Sequence, residues 1–306
     1  MNDAAGAARR MWTLFEPVHV VTYFTAEARA GFEQAGLRGF WRGYFAGRAA
    51  PLGRAGPAVV TASFYNFAPA MVARALPGVW DLITPEDALA VRSAGAVAAL
   101  RRLLGERAAS LTALADLLLR ATDGLDCAGR VLAAANAARP AGWEGEAGGE
   151  PAARVWHAAT LLREHRGDGH SAALLAAGID GCEALVLRAA ADLSRELLQP
   201  VRGWTDEDWD RAAARLTSRG WLDEDGRLTP EGAAVRQDVE DATDLAAARP
   251  WARLGAAATG ELADLLAPVA RACATELPFP NPVGVPAPPA GGSAGSCPRA
   301  GTGDPS

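Results

Sequence analysis

The chain has 306 residues, half of them hydrophobic, and its 36 acidic side chains outnumber 30 basic ones for a net charge of -6. That balance excludes a broad face for polyanions, which needs a basic excess, and leaves room only for a local basic stripe. No 18 apolar residues run uninterrupted and the start lacks the apolar core of a signal peptide, so no membrane partner is expected and the setting is expected to be cytoplasmic. Every basic residue is arginine. Cys127, Cys182, Cys273 and Cys297 are scattered without a C-x-x-C pair, which reads as free thiols rather than a zinc site.

In chain order, apolar residues at three- and four-residue spacing predict a helix over 8–35, followed by breaks at Gly36, at 51–57 and at Pro77-Gly78. All three tyrosines and seven of the eight phenylalanines fall between Phe15 and Phe67, enough to build a bulky core or to line a cavity. Ala58-Val59-Val60-Thr61 is a short strand or the opening of a helix. Thr84-Pro85-Glu86-Asp87 is a helix start, and helices are predicted over 86–104, 108–121 and 126–138. Residues 140–151 are rich in Pro, Gly and Glu and read as a linker or long loop. Helices follow over 152–166, 171–177, 181–198, 206–219, 231–248 and 254–275, with 221–229 the best β-ribbon. From Pro278 onward the Pro/Gly/Ser/Ala composition predicts disorder. The fold class is therefore mainly α with two helical domains, an aromatic-rich one over 8–139 and a second over 152–276, before a disordered tail over 277–306.

The second domain carries a specific pattern. Thr205 precedes Asp206-Glu207-Asp208, an N-cap with an acidic first turn, and Trp209, Ala212, Ala213 and Leu216 form one apolar stripe. Gly220 ends that helix, Asp223-Glu224-Asp225-Gly226 is a tight turn, and Leu228-Thr229-Pro230-Glu231 opens the next helix. This pattern resembles the recognition helix and wing of MarR-like winged-helix proteins, which implies a winged-helix-like unit at about 154–248 with a short β-hairpin as its wing. A DNA reader presents cations and amides to phosphate and base edges. Here the first turn and the wing tip are acidic, which argues against DNA; if DNA is bound at all, Arg211, Arg215, Arg219 and Arg227 are its contacts.

The stretch Glu164-His165-Arg166-Gly167-Asp168-Gly169-His170 holds two of the four histidines. One reading is structural: Gly167 caps one helix and Asp168 starts the next. A second is acid–base chemistry by His165, Asp168 and His170, with a carboxylate orienting an imidazole. A third is a metal site, although the spacing matches no standard motif. A fourth is recognition of an anionic or polar group by His165, Arg166 and His170. Glu16, His19 and Tyr23 share a helical face in the aromatic region, with Pro17 marking a first turn or a kink, and Arg42 and Arg48 flank Tyr44 as snorkelling or ion-paired side chains. No phosphate loop, nucleophile elbow or dinucleotide fingerprint occurs, and the identity of any cofactor is unknown from the sequence.

Three strings carry a family resemblance: residues 40–53 from Phe40-Trp41-Arg42-Gly43-Tyr44 to Leu52-Gly53, Phe64-Tyr65-Asn66-Phe67, and residues 156–170 from Trp156-His157 to Gly169-His170. Over most of residues 10–275 the chain resembles the SalK-type helix-turn-helix proteins of actinobacteria, and its C-terminal half resembles MarR-like winged-helix proteins. The resemblance implies a helical protein with a helix-turn-helix element. The resulting expectation is a regulatory protein that binds a small molecule, with a homodimer allowed. His19, Tyr23, Tyr44, Tyr65 and Arg166 line its pocket, where the aromatic region meets the 164–170 segment. The alternative is an enzyme acting through His165, Asp168 and His170.

Overall fold

The computed structural model describes residues 3–138 and 149–286. Among them the chain forms fifteen α-helices: α1 (Asp3–Phe24), α2 (Ala26–Gln34), α3 (Phe40–Ala49), α4 (Pro57–Ser63), α5 (Pro69–Ala73), α6 (Pro85–Leu104), α7 (Thr112–Thr122), α8 (Val131–Asn136), α9 (Pro151–Ala176), α10 (Gly181–Ala191), α11 (Arg195–Arg202), α12 (Asp206–Ser218), α13 (Pro230–Ala246), α14 (Arg249–Leu254) and α15 (Ala256–Ala274). The expected helix over 8–35 is two helices hinged at Thr25, whose hydroxyl turns back onto the Val21 carbonyl. No helix among the described residues is long and apolar enough to cross a membrane.

Helix α9 is the axis of the molecule. From Ala152 to Leu162 every residue is buried, the pattern of a helix covered on all sides rather than amphipathic. It packs against α1, α6, α7, α8 and α13. Its apolar side chains join those of α1, α6, α7 and α15 in the largest core cluster, built around Met11, Phe15, Leu100, Leu118, Trp156 and Leu262. A second cluster gathers the aromatics of α3 and the 64–67 turn with Trp80, and a third holds α10 and α12 together through Leu185, Leu198, Trp209 and Leu216.

Three expectations are corrected here. First, the helices expected over 152–166 and 171–177 are one helix, and the 164–170 segment lies inside it. Gly167 and Asp168 do not cap it, because the helix runs on through both. A Cβ on Gly169 would stand 2.8 Å from the Arg130 guanidinium and 3.1 Å from Ala246. That glycine lets Arg130 reach the carbonyls of His165 and Ala246. The Asp168 carboxylate accepts the Ala133 N–H at 2.9 Å and so caps the start of α8, a separate element.

Second, the β-hairpin does not form. Leu222 and Leu228 make a single antiparallel bridge. The Asp223 carboxylate accepts the N–H groups of Asp225 and Arg227, which closes the turn so tightly that its arms are too short for a ladder. Third, residues 277–286 are built into the fold. Asn281 accepts from Gly284 and Val285 N–H and donates to the Val285 carbonyl, fixing a turn against α10 and α11. The expectations for residues 287–306 and for most of the 140–151 loop, including Cys297, lie outside the described residues. Cys127, Cys182 and Cys273 are free thiols, and burial pushes Cys182 and Cys273 up to about 12.

Candidate functional site

A cavity of about 440 Å³ opens between α1, α3, α9, α10, α11 and α13, large enough for a drug-sized ligand. One wall is aromatic. Positions 41, 44, 45 and 48 of α3 recur at three- and four-residue spacing, so the helix turns Trp41, Tyr44 and Arg48 toward the cavity and Phe45 into the core behind it. Tyr44 and Trp41 pack against Phe67 with ring centroids 5.6 and 6.1 Å apart, and Phe45 backs both Phe64 and Phe67. The opposite wall is Leu174, Leu185, Leu187, Leu198 and Val239, which also belong to the core of α10 and α12. The turn at Pro282 to Gly284 completes the lining.

The charges concentrate where α1, α3 and α9 meet. Arg163 stands between two buried carboxylates, 2.8 Å from Glu164 and 3.4 Å from Glu16. Arg48 lies 3.8 Å from Glu164, donates to the Tyr44 hydroxyl at 3.0 Å and stacks over Phe64. Arg202 stacks over Phe67 and donates to the carbonyls of Pro282 and Val201. The two carboxylates have been driven apart. Burial raises Glu16 above the usual carboxylate range despite Arg163, whereas Arg163 and Arg48 overcome the burial of Glu164 and hold it below that range.

The expected site residues divide between the cavity and its surroundings. Tyr23, Tyr44, Tyr65, Arg166 and His170 line the cavity, together with Glu16 and Glu164. His165, Asp168 and His19 do not appear among its walls. On one continuous helix His165 and His170 are five residues apart, about 140° around the axis, so the three groups weighed for acid–base work do not converge. Burial and Arg130 lower His165 to about 4, which keeps it neutral at physiological pH. His170 Nδ1 lies 2.9 Å from the Thr243 hydroxyl, whose own proton goes to the Val239 carbonyl, so His170 donates there. His19 is buried 3.0 Å from Thr160, with its ring against the edge of Tyr23. Arg166 is paired with Asp244 at 2.7 Å and stacks over Trp12.

Among the described residues no group of three or more His, Cys, Asp or Glu is placed to hold a metal ion. The expectations missed Arg163 and Arg202. Arg163-Glu164 could have been found as adjacent opposite charges inside an otherwise apolar helix; for Arg202 the sequence carries no signal beyond its place one turn after Leu198.

On α12 and in the turn that follows it, every arginine named as a DNA contact has a partner. Arg211 pairs with Glu207 and Asp208, and Arg227 with Asp225. Arg215 pairs with Asp180 and with the buried Glu183 at 2.6 Å, and Arg219 reaches Glu183 at 3.3 Å. Glu183 in turn forms a capping box with Asp180 at the start of α10. Residues 8–280 match the model of a helix-turn-helix family. The chain belongs to that family. Helices α10 and α12, joined through α11, share one apolar core, and that core also supplies the apolar wall of the cavity. Searches of curated proteins and of solved structures found no match.

Proposed function

We propose that this protein is a small-molecule-binding member of the helix-turn-helix family with a regulatory role, close to the SalK-type proteins, in which the cavity is the effector site. The observation that carries this reading is the shared wall. Leu185, Leu198 and Val239 face the cavity and share a core with Trp209, Ala212 and Leu216 of α12; on this reading α10 to α12 are the helix-turn-helix element, and a ligand that shifts the shared core shifts α12. The pairing of Arg211, Arg215, Arg219 and Arg227 with carboxylates supports the further reading that α12 does not seat on DNA as isolated. A phosphate would have to displace an intramolecular carboxylate at each contact.

The test uses Gly167, which faces the cavity and where a Cβ would meet nothing closer than Glu164 at 3.9 Å. The dye 1-anilinonaphthalene-8-sulfonate is expected to brighten with the wild type and to lose most of that signal with Gly167→Leu. Equal brightening with the variant would reject the cavity as the binding site. In parallel, anisotropy of a labelled mixed-sequence duplex at low salt is expected to show little binding; a steep salt-dependent isotherm would restore α12 as a DNA reader.

One observation favours a second, catalytic reading: Glu16 and Glu164 flank Arg163 with their proton affinities pushed in opposite directions, as in acid–base carboxylate pairs. On that reading Glu16 donates and Glu164 accepts, and the histidines of α9 take no part. A screen with chromogenic ester, glycoside and phosphoester substrates separates the two: a catalyst turns one of them over and loses that turnover with Glu16→Gln, while a binding protein turns over none.

A further inference from the structure

The cavity holds more cation than it can match. Arg48, Arg163 and Arg202 face it from three elements. Of the three carboxylates in the lining, Glu240 is engaged by Arg9 at 2.9 Å and by Arg166 at 3.9 Å, which leaves Glu16 and Glu164, and Glu16 is the one whose burial favours the neutral form. Arg163 takes both carboxylates at close range and leaves Arg48 the longer 3.8 Å approach to Glu164. Arg202 has no carboxylate among the described residues, only carbonyls. The remaining arginines of the lining are satisfied elsewhere: Arg166 by Asp244, and Arg188 and Arg236 by Asp192.

Orphaned donors point the same way. Arg48 Nε and the Tyr23 hydroxyl are buried with no hydrogen-bond partner. Both belong to lining residues, and both stand beside Tyr44, whose ring lies 4.9 Å from that of Tyr23 and whose hydroxyl accepts from Arg48. Leaving a buried donor unmet costs about 1–3 kcal/mol, and a buried cation without a counter-charge costs more, so native proteins pair them. Asn66 Oδ1 is an orphaned acceptor in the same lining and suits a hydroxyl or amide N–H on the ligand.

We propose that the cavity takes an oxyanion carried on a flat apolar body, with the anionic group held near Tyr44 by Arg48 and Arg202 and the body stacked among Trp41, Phe64 and Phe67. This rests on the cavity being a ligand site, as proposed above, and adds the charge and shape of the ligand. Cationic ligands are disfavoured by the three arginines. Neutral ones fit the aromatic wall but leave the surplus charge unanswered.

The test compares ligands of one shape on the intact chain, by calorimetry and thermal shift: 2-naphthoate, 2-naphthyl phosphate, 2-naphthamide and 2-naphthylmethylammonium. Naphthoate or the phosphate ester is expected to bind on the order of tenfold tighter than the amide, with the ammonium weakest. Whichever anion binds tighter identifies the source as a carboxylate or a phosphate ester. Arg202→Gln is expected to bring the better anion to within about threefold of the amide while leaving the amide unchanged. That side chain has no buried carboxylate to orphan, so the variant should fold. Equal binding of amide and anion would overturn the oxyanion and leave the cavity standing as a ligand site. Preference for the ammonium would overturn it in favour of Glu16 and Glu164 as the recognising charges. Failure of all four to bind at millimolar concentration would overturn both readings.

Discussion

The cavity and the solvent face of α12 use arginine in opposite ways. On α12 the guanidinium groups answer carboxylates of the same chain, and Arg215 and Arg219 converge on the buried Glu183, so removing a partner damages the fold. In the cavity Arg202 rests on carbonyls, and Arg48 Nε has no hydrogen bond and only a 3.8 Å approach to a Glu164 already taken by Arg163, so their charge is incompletely answered. The residue type that would suggest DNA binding on a helix-turn-helix element is engaged within the chain here, and the arginines we propose for a ligand line the cavity. An arginine's role is set by whether its own chain already satisfies it.

The contrast can be broken in several places, beginning with the joint between the two regions. A Cβ on Gly181, the first residue of α10, would fall 2.1 Å from the Tyr65 carbonyl oxygen. Gly181→Val is therefore expected to cost about 3 kcal/mol or more in urea unfolding, since the backbone of the aromatic region must retreat. Next comes the pairing itself. Glu183→Ala removes a buried carboxylate, two ion pairs and half of a capping box, and is expected to cost about 2–4 kcal/mol. Arg202→Gln is expected to cost under about 1 kcal/mol, having no carboxylate to strand. Similar losses for the two would erase the distinction.

Two smaller effects sharpen it. Tyr23→Phe removes an orphaned buried hydroxyl and is expected to stabilise the unliganded protein by about 1 kcal/mol while weakening binding of an oxyanion. A purely structural hydroxyl would lower both together. In a pH scan, His165 is the group to follow. Burial lowers it from 6.5 to about 4 in the folded chain, so between those values the unfolded chain holds the extra proton. Stability is expected to be full above pH 6.5, to fall as pH drops toward 4, and to level off below it. His165→Gln should flatten that slope, as judged by urea midpoints across the range. A slope that persists would move the effect to His19 and His170, which burial also lowers.

Much of the helical fold was legible in the sequence because helix starts and stops carry local chemistry. Thr84, Asp180, Ser194, Thr205 and Thr229 all cap helices through their side chains. The segment 164–170 misled because glycines inside a helix look like a break. Gly169 is there for the close approach of Arg130 and Ala246, a tertiary reason no local pattern carries. The aromatic wall was visible as composition, and Tyr23, Tyr44 and Tyr65 do line the cavity. Its charges were hidden because Arg163, Arg202 and Arg48 come from three distant stretches. Their surplus over Glu16 and Glu164 exists only once the chain is folded.

The central claim is that this protein meets its ligand in the aromatic–arginine cavity and not on the face of α12. Hydrogen–deuterium exchange with and without saturating 2-naphthoate tests it most directly. Protection is expected in α3 from Phe40 to Arg48, in the 63–67 turn and in α11 near Arg202, with exchange on the first turn of α12 and at 223–227 unchanged. Protection confined to α12 and that turn, or none anywhere at saturation, would contradict the account.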